Sequence, residues 1–500
     1  MLPSDYQKIT PYRYKFNDSK VPIVFHLQSS LFPNDEALGQ LKSIARTKGV
    51  FHHVAVLSDV HPKKGRRCPT GVAVASENFL PQIMDTAPNC GMRMFSLSLK
   101  KSEVSEEKID KIFRKLVQEV PTQTLRGEKI NFKTVLDIAR FGAKGLIQNK
   151  KDDFSFLEDE LRNSFQFGNE FLEQEIPSKE VLESVIPKIF LKMSQFRLGV
   201  LGMAGNHFLD LMRVSKIEDP QKAKKLSLEE DQLIFFMHTG SGILGQYSSY
   251  FYTPKEEEHL LTKILVNLGR VSMPKTFLSS KEIKKLREDS LSFRRKKDFF
   301  SLDPTSKVGE AYLLAHRASG NFGYANRAVL AAKIKTVVEE EISKKLKWNL
   351  IYDMPHIGVR REEHFGKETW VHRNGVSRAF GPKRMAGHEI FSEVGEPCFF
   401  AGSMTTPSYL AVATDENEST FFSASHGAGK KKEAPKSFNK KALFEKMNED
   451  GVKLYNAKSK GVTKQYSAYY KDINAVMEGI KENKIATPVA RLEPVAVLMA

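Results

Sequence analysis

Cysteine is nearly absent from this chain, with Cys68, Cys90 and Cys398 the only three in 500 residues. So few, so far apart, exclude a disulfide scaffold and point to a reducing, cytoplasmic setting. Neither C-x-x-C nor H-E-x-x-H occurs, so no compact zinc motif is written into any one segment. No stretch of about 18 uncharged apolar residues exists, which argues against a membrane-spanning helix. The nearest run, 397 to 414, is interrupted by Gly402 and Pro407 and reads as two strands with a turn. The opening residues MLPSDYQKITPYRYKF lack the apolar centre of a secretory leader. Acidic residues are also in deficit, 60 against 77 Lys and Arg, giving a formal net charge of +17. That excess favours polyanionic partners, nucleic acid above all.

With 41% hydrophobic and 27% charged residues, the chain can bury a large core. Residues 22 to 99 alternate short apolar runs with Gly, Pro and Asn, the texture of strands and loops. Residues 100 to 200 change to helical spacing on a charged background, as in SEEKIDKIFRKLVQEV. Gly-rich strand texture returns from 200 to 250. Residues 275 to 300 read as a basic helix, 308 to 346 as a long helix broken around Gly320, and the chain beyond 349 as strand and loop. No repeat appears, and no Pro/Gly/Ser linker separates the strand-rich regions. The expectation is one α+β body over residues 1–500, with mixed and antiparallel sheets and a mostly helical cover at 100–200.

Several local patterns invite chemistry. Gly240-Ser241-Gly242-Ile243-Leu244-Gly245 after LIFFMHT spells a dinucleotide fingerprint, but the acid required about 20 residues on falls in KEEEHLLTKILVNLG, which looks helical. A tight glycine turn is the better reading. His426-Gly427-Ala428-Gly429-Lys430-Lys431 resembles a phosphate loop yet has Ala424 and Lys431 where Gly and Ser or Thr are needed. Its small residues still let backbone N–H groups approach an anion, with lysines adding positive field. Five of the 13 histidines, His61, His207, His238, His356 and His426, end apolar runs beside Gly, Asn or Pro. A single histidine so placed is more often a hydrogen-bonded core residue, but five weaken that reading. With Cys90 they form a donor set better suited to zinc, manganese or iron than to magnesium. Basic residues interleaved with aromatics at 292–300 and 360–384 could form a solvated face or track a phosphate backbone.

Taken in order, LSDVHPKKG, NCGMR, GNHFLDL, MHTGSGILG, YDMPHI, VHRNGVSRAF, AGSMTTPSYL, HGAGK and AYYKDI resemble the RtcB family of RNA ligases from about residue 57 to the C-terminus. The resemblance implies joining of RNA 3′-phosphate or 2′,3′-cyclic phosphate ends to 5′-hydroxyl ends, using GTP and two manganese ions. It implies that His426 is the nucleophile forming a histidine–GMP intermediate. It makes Cys90, His207, His238 and His356 metal ligands. Asn206, Asp210, Ser403, Ser408, Ala428, Gly429 and Tyr470 match nucleotide-pocket positions, and Arg93 and Arg378 match candidate RNA-phosphate contacts. An archease-type activator is a further implied partner.

The chain also departs from that pattern. The acid three residues before the cysteine is replaced by Ala87, with Asp85 two residues earlier, so a second ion depends on Asp85 reaching it. Asp210 stands for Glu, Thr405 and Pro407 for Gly and Ala, Ser425 for Cys, Lys430 for Arg, and Met499 for a penultimate Lys. Lys430 cannot grip phosphate bidentately, and an uncharged Met499 bears on guanine preference. A non-catalytic or altered-specificity RNA-binding paralogue is therefore the alternative.

Overall fold

A computed structural model describes residues 6–17, 20–63, 65–84, 87–122, 125–148, 169–171, 175–202, 206–254, 260–296, 299–431, 439–456 and 462–500. Its strands in chain order are β1 (Tyr6–Thr10), β2 (Arg13–Phe16), β3 (Ile23–Phe25), β4 (Val50–His61), β5 (Thr70–Ser76), β6 (Gly91–Lys100), β7 (Phe208–Ile217), β8 (Gln232–Thr239), β9 (Trp348–Pro355), β10 (Ile357–His364), β11 (Lys367–Asn374), β12 (Val376–Arg378), β13 (Pro397–Phe400), β14 (Ser408–Ala413), β15 (Ser423–Ser425), β16 (Lys453–Tyr455) and β17 (Ala486–Met499). One large sheet runs β1-β2-β3-β4-β5-β11-β10, a second runs β13-β14-β17-β7-β8-β6-β9 with β16 beside β17, and β12 and β15 form a two-stranded sheet. Pairing is antiparallel except for β3 with β4 and β16 with β17. The fold class is α+β, with mixed sheets and helices. The expected pair of strands within 397–414 is β13 and β14, joined antiparallel.

The central strands β5, β13 and β14 are buried on both faces because both faces are covered. Every residue of β5, TGVAVAS, is buried, and β13 and β14 contribute Cys398, Phe400, Tyr409, Ala411 and Ala413 to the core that also holds β4 and β5. The second sheet packs Phe95, Leu209, Leu211, Phe235 and Met237 against helices Glu106–Glu119 and Lys307–Ile342. The first of these helices shows why the region reads as helical: Ser105 caps the Lys108 amide, and Ile109, Ile112, Phe113 and Leu116 form one buried stripe.

The long helix corrects one expectation. It runs unbroken for 36 residues, from a Ser306 cap to Ser343 in the left-handed conformation. Gly320 does not break it because burial along most of its length outweighs a glycine cost of about 1 kcal/mol. The glycines serve close approach: a Cβ at Gly320 would lie 2.9 Å from Glu170 Cγ, and one at Gly323 would lie 2.6 Å from the Asn89 carbonyl.

Strand register brings several chemically marked residues to one end of the second sheet. Gly91 pairs with both Thr239 and Pro355, while Phe208 pairs with His238 and Met499. His356 is the single residue between β9 of the second sheet and β10 of the first. The sheets therefore meet at the residues the sequence singles out.

Candidate functional site

A cavity of about 560 Å³ opens at this junction. Cys90, His207, His238, His356 and His426 line it, as do Asn206, Asp210, Ser403, Ser408, Ala428, Gly429 and Tyr470. Segments separated by more than 300 residues thus supply one wall.

Cys90, His207 and His238 form a group whose ligand atoms all lie within 4.8 Å of one another. Cys90 Sγ is 3.2 Å from His238 Nε2 and 3.6 Å from His207 Nε2. The other ring nitrogens are fixed: His207 Nδ1 lies 2.8 Å from the Leu201 carbonyl and His238 Nδ1 3.0 Å from the Asn206 carbonyl. A carbonyl only accepts, so each Nδ1 carries the proton and each Nε2 turns a lone pair toward the sulfur. Burial pushes His207 down to about 4 and His238 well below the usual imidazole range, keeping both neutral. His356 is also held well down by burial, and its Nδ1 has no hydrogen-bond partner among the described residues. One sulfur, two oriented imidazoles and an orphaned buried ring nitrogen fit a divalent transition metal. Asp85 lies outside the described residues.

His426 follows β15, with its ring stacked on His356 at a centroid separation of 4.2 Å. Its Nδ1 donates to the Gly375 carbonyl at 2.7 Å and lies 3.1 Å from Asp59 Oδ2. Both partners of Nδ1 are acceptors, so Nδ1 carries a proton and Nε2 is the nitrogen left to act as nucleophile. Asp59 is 2% exposed and accepts from Thr70 Oγ1 at 2.8 Å. Burial alone would raise its carboxyl, yet the His426 and His61 imidazoles hold it below the ordinary carboxylate range. Lys471 secures the same strand from behind, donating to the Ser58 and Val60 carbonyls, and burial lowers it to about 8.

Elsewhere in the cavity, Asp210 is raised well above its ordinary value by burial, and its Oδ1 has no partner among the described residues. Phe208, Met404 and Met499 also line the cavity. Lys430 sits 5.9 Å over the Tyr470 ring, and Tyr470 donates to Gln465. Ser408 Oγ accepts from the Gly402 amide, and Thr406 Oγ1 accepts from the Ser403 amide, so this loop is shaped by its own hydroxyls.

Arg93 and Arg378 do not line this cavity. Arg93 is 1% exposed and pairs with Asp353 at 2.9 Å, outside the cavity. Arg378 pairs with buried Glu396 at 2.8 Å and lines a smaller neighbouring cavity with Arg360 and Arg373. The glycine turn at 240–242 follows β8, with Gly242 at φ +60° and at the N-cap of the helix Ile243–Tyr252, and the region about 20 residues on, where the fingerprint needs a second strand, is the helix Leu260–Ser272. Asp59, Thr70 and Gly375 were not singled out by sequence. Asp59 carries a weak local signal, two residues before His61 in LSDVH, but nothing local ties it to His426, 367 positions on.

Among the described residues, no helix is long and apolar enough to cross a membrane. A family model described as tRNA-splicing ligase RtcB matches residues 40–500. A tRNA-splicing ligase RtcB from Methanococcus maripaludis is 27% identical over 98% of this chain and 96% of its own length. One from Thermococcus kodakarensis is 28% identical over 93% and 91%. One from Methanocaldococcus jannaschii is 27% identical over 86% of this chain, which spans 41% of that relative's length. With a match of that extent and the Cys/His cavity in place, the chain belongs to the RtcB family.

Proposed function

We propose that the chain is an RNA ligase that joins RNA ends through a nucleotide carried on His426. The observation that carries this reading is His426 itself: an imidazole clamped at Nδ1 by Gly375 and Asp59, in a cavity shared with a Cys/His cluster. The relatives' description as tRNA-splicing ligases supports RNA as the substrate.

The proposed nucleotide is GTP and the proposed metal is manganese, held by Cys90, His207, His238 and His356. When bound there, divalent ions supply charge neutralisation for the triphosphate. His426 Nε2 attacks the α-phosphorus; the new N–P bond replaces the bond to the bridging oxygen, and pyrophosphate leaves. Asp59 faces the positive charge that develops on the ring, while Gly375 keeps the Nδ1 proton in place. An oxygen of an RNA 3′-phosphate then attacks the same phosphorus and releases His426. A 5′-hydroxyl oxygen finally attacks the RNA 3′-phosphorus, losing its proton to solvent, and GMP departs. A 2′,3′-cyclic end requires prior opening by water. Asn206, Ser403, Ser408, Ala428, Gly429 and Tyr470 are the proposed nucleotide contacts, and Asp210 is the proposed base contact. An archease-type activator and a cytoplasmic location belong to the same proposal.

The test is incubation with α-labelled GTP, and separately ATP, in the presence of manganese, followed by denaturing electrophoresis of wild type and His426→Ala. Label on the wild type alone supports the reading, and label retained by His426→Ala refutes it. Met499 and Asp210 in one cavity favour a second reading on base choice, which transfer from ATP in preference to GTP would support.

A further inference from the structure

The helix Lys307–Ile342 presents two adjacent buried side chains, Asn326 and Arg327, to the segments that carry the Cys/His cluster. Arg327 Nη1 donates to the Asn89 carbonyl at 3.0 Å and to the Thr239 carbonyl at 2.9 Å. Its Nη2 donates to Asn89 Oδ1 at 2.6 Å, and its Nε to Asp353 Oδ1 at 2.6 Å. Asn89 directly precedes Cys90, Thr239 directly follows His238, and Asp353 lies on β9 three residues before His356. One guanidinium therefore holds the approaches to three of the four candidate ligands.

Asn326 serves the fourth. Its Oδ1 accepts from the Val200 amide at 3.0 Å, and its Nδ2 donates to the Val200 carbonyl at 2.9 Å and toward Thr239 Oγ1 at 3.3 Å. Thr239 Oγ1 donates to the Leu201 carbonyl at 2.6 Å, the same carbonyl that accepts His207 Nδ1. Two further links tighten the set: the His356 amide donates to the Cys90 carbonyl at 2.9 Å, and Arg93 takes the second oxygen of Asp353. Gly323, one turn before Arg327, lets the Asn89 carbonyl approach the helix where any Cβ would collide. Asn89 itself sits at φ +53°, a conformation that needs such external support.

We infer that Asn326 and Arg327 are positioning residues that set the mutual spacing of Cys90, His207, His238 and His356. The inference rests on the reading of those four residues as a metal site. Four acceptors in different directions require the planar five-donor fork of arginine; the three donors of lysine radiate from one atom and cannot meet them all. Partners bonded directly to metal ligands typically change metal affinity by roughly 10- to 100-fold when broken, and Asn326 and Arg327 act on the same ligands through the residues that flank them.

The experiment measures Mn²⁺ binding by calorimetry and the sulfur-to-Co²⁺ charge-transfer absorption on the full chain, as wild type, Arg327→Lys, Asn326→Ser and Tyr252→Phe. Tyr252→Phe removes a buried hydrogen bond to the Val185 carbonyl and reports destabilisation alone. The expected result is Mn²⁺ binding weaker by roughly tenfold or more in Arg327→Lys and Asn326→Ser, with an altered Co²⁺ band, and unchanged affinity in Tyr252→Phe. Affinity within about twofold of wild type in a folded Arg327→Lys overturns the inference while leaving the metal reading intact. If Arg327→Lys does not fold, Asn326→Ser decides by the same criterion. Absence of binding to the wild type overturns the metal reading and the inference with it.

Discussion

Replacing Asp59 by Asn isolates the electrostatic part of the proposed chemistry. The carboxylate oxygen lies 3.1 Å from His426 Nδ1, and the side chain is 2% exposed. Once Nε2 bonds to phosphorus while Nδ1 keeps its proton, the ring carries a positive charge centred about 4 Å from the carboxylate. At an effective dielectric constant near 20, that pair is worth about 4 kcal/mol. The amide dipole of Asn and the retained bond to the Gly375 carbonyl return part of this, leaving a loss of about 3 kcal/mol in the transition state. That corresponds to a fall of roughly 150-fold in the rate of nucleotide transfer. Thr70 and His426 both face Oδ2, so the Asn oxygen stays toward them and its N–H₂ takes the Oδ1 side, 3.5 Å from the His61 Nδ1 that donates to the Asp59 carbonyl; a stability cost of about 1 to 3 kcal/mol accompanies this donor-to-donor contact. The assay is the initial rate of label transfer from α-labelled GTP, with the melting temperature of the same preparation as the check on folding. A folded Asp59→Asn protein labelling within about fivefold of wild type would refute the argument, because uncharged Gly375 would then suffice.

Gly429 takes φ +72°, and an added Cβ would lie 2.7 Å from Asp59 Cα, so Gly429→Ala should lose about 2 to 4 kcal/mol of stability and misplace Asp59; a urea midpoint indistinguishable from wild type would contradict this. Burial holds His53 and His372 down to about 3 and His316 to about 4, against 6.5 in the unfolded chain. Between those values the unfolded chain binds protons that the folded chain does not, so stability falls as pH drops from 6.5 toward 4, each group adding up to about 1.4 kcal/mol per pH unit. Equal denaturation midpoints at pH 7.5 and pH 5 would count against these three rings being buried and neutral. Arg373 grips buried Glu362 at 2.7 and 2.8 Å; Arg373→Met should cost about 3 to 5 kcal/mol by leaving the buried carboxylate without its guanidinium and with His364 Nε2 at 2.9 Å, and adding Glu362→Leu should recover part of it. A double variant no more stable than the single one would show that the pair is not the source of the loss.

The kinds of chemistry available were legible in the residues. An imidazole followed by Gly-Ala-Gly, a scarce cysteine beside glycine and histidines ending apolar runs are local facts, and all of them line one cavity. The strand and helix texture was legible for the same reason: burial periodicity is local, as the Ile109 to Leu116 stripe shows. The break at Gly320 was misread because a glycine's helix cost is local, whereas the burial that overrides it comes from partners far away in sequence.

What the chain could not state is which residues hold the reactive ones in place. Asp59 reaches His426 only because the β4–β5 and β15 ends converge, and His356 stands between the sheets only because β9 and β10 pair with different neighbours. Asn326 and Arg327 lie within an unremarkable stretch of helix, 119 and 120 positions from His207, and their donors find the ligand loops through packing alone. Composition and local spacing determine the donors, while register and close packing decide their orientation, tautomer and charge, because those depend on partners that sequence distance does not encode.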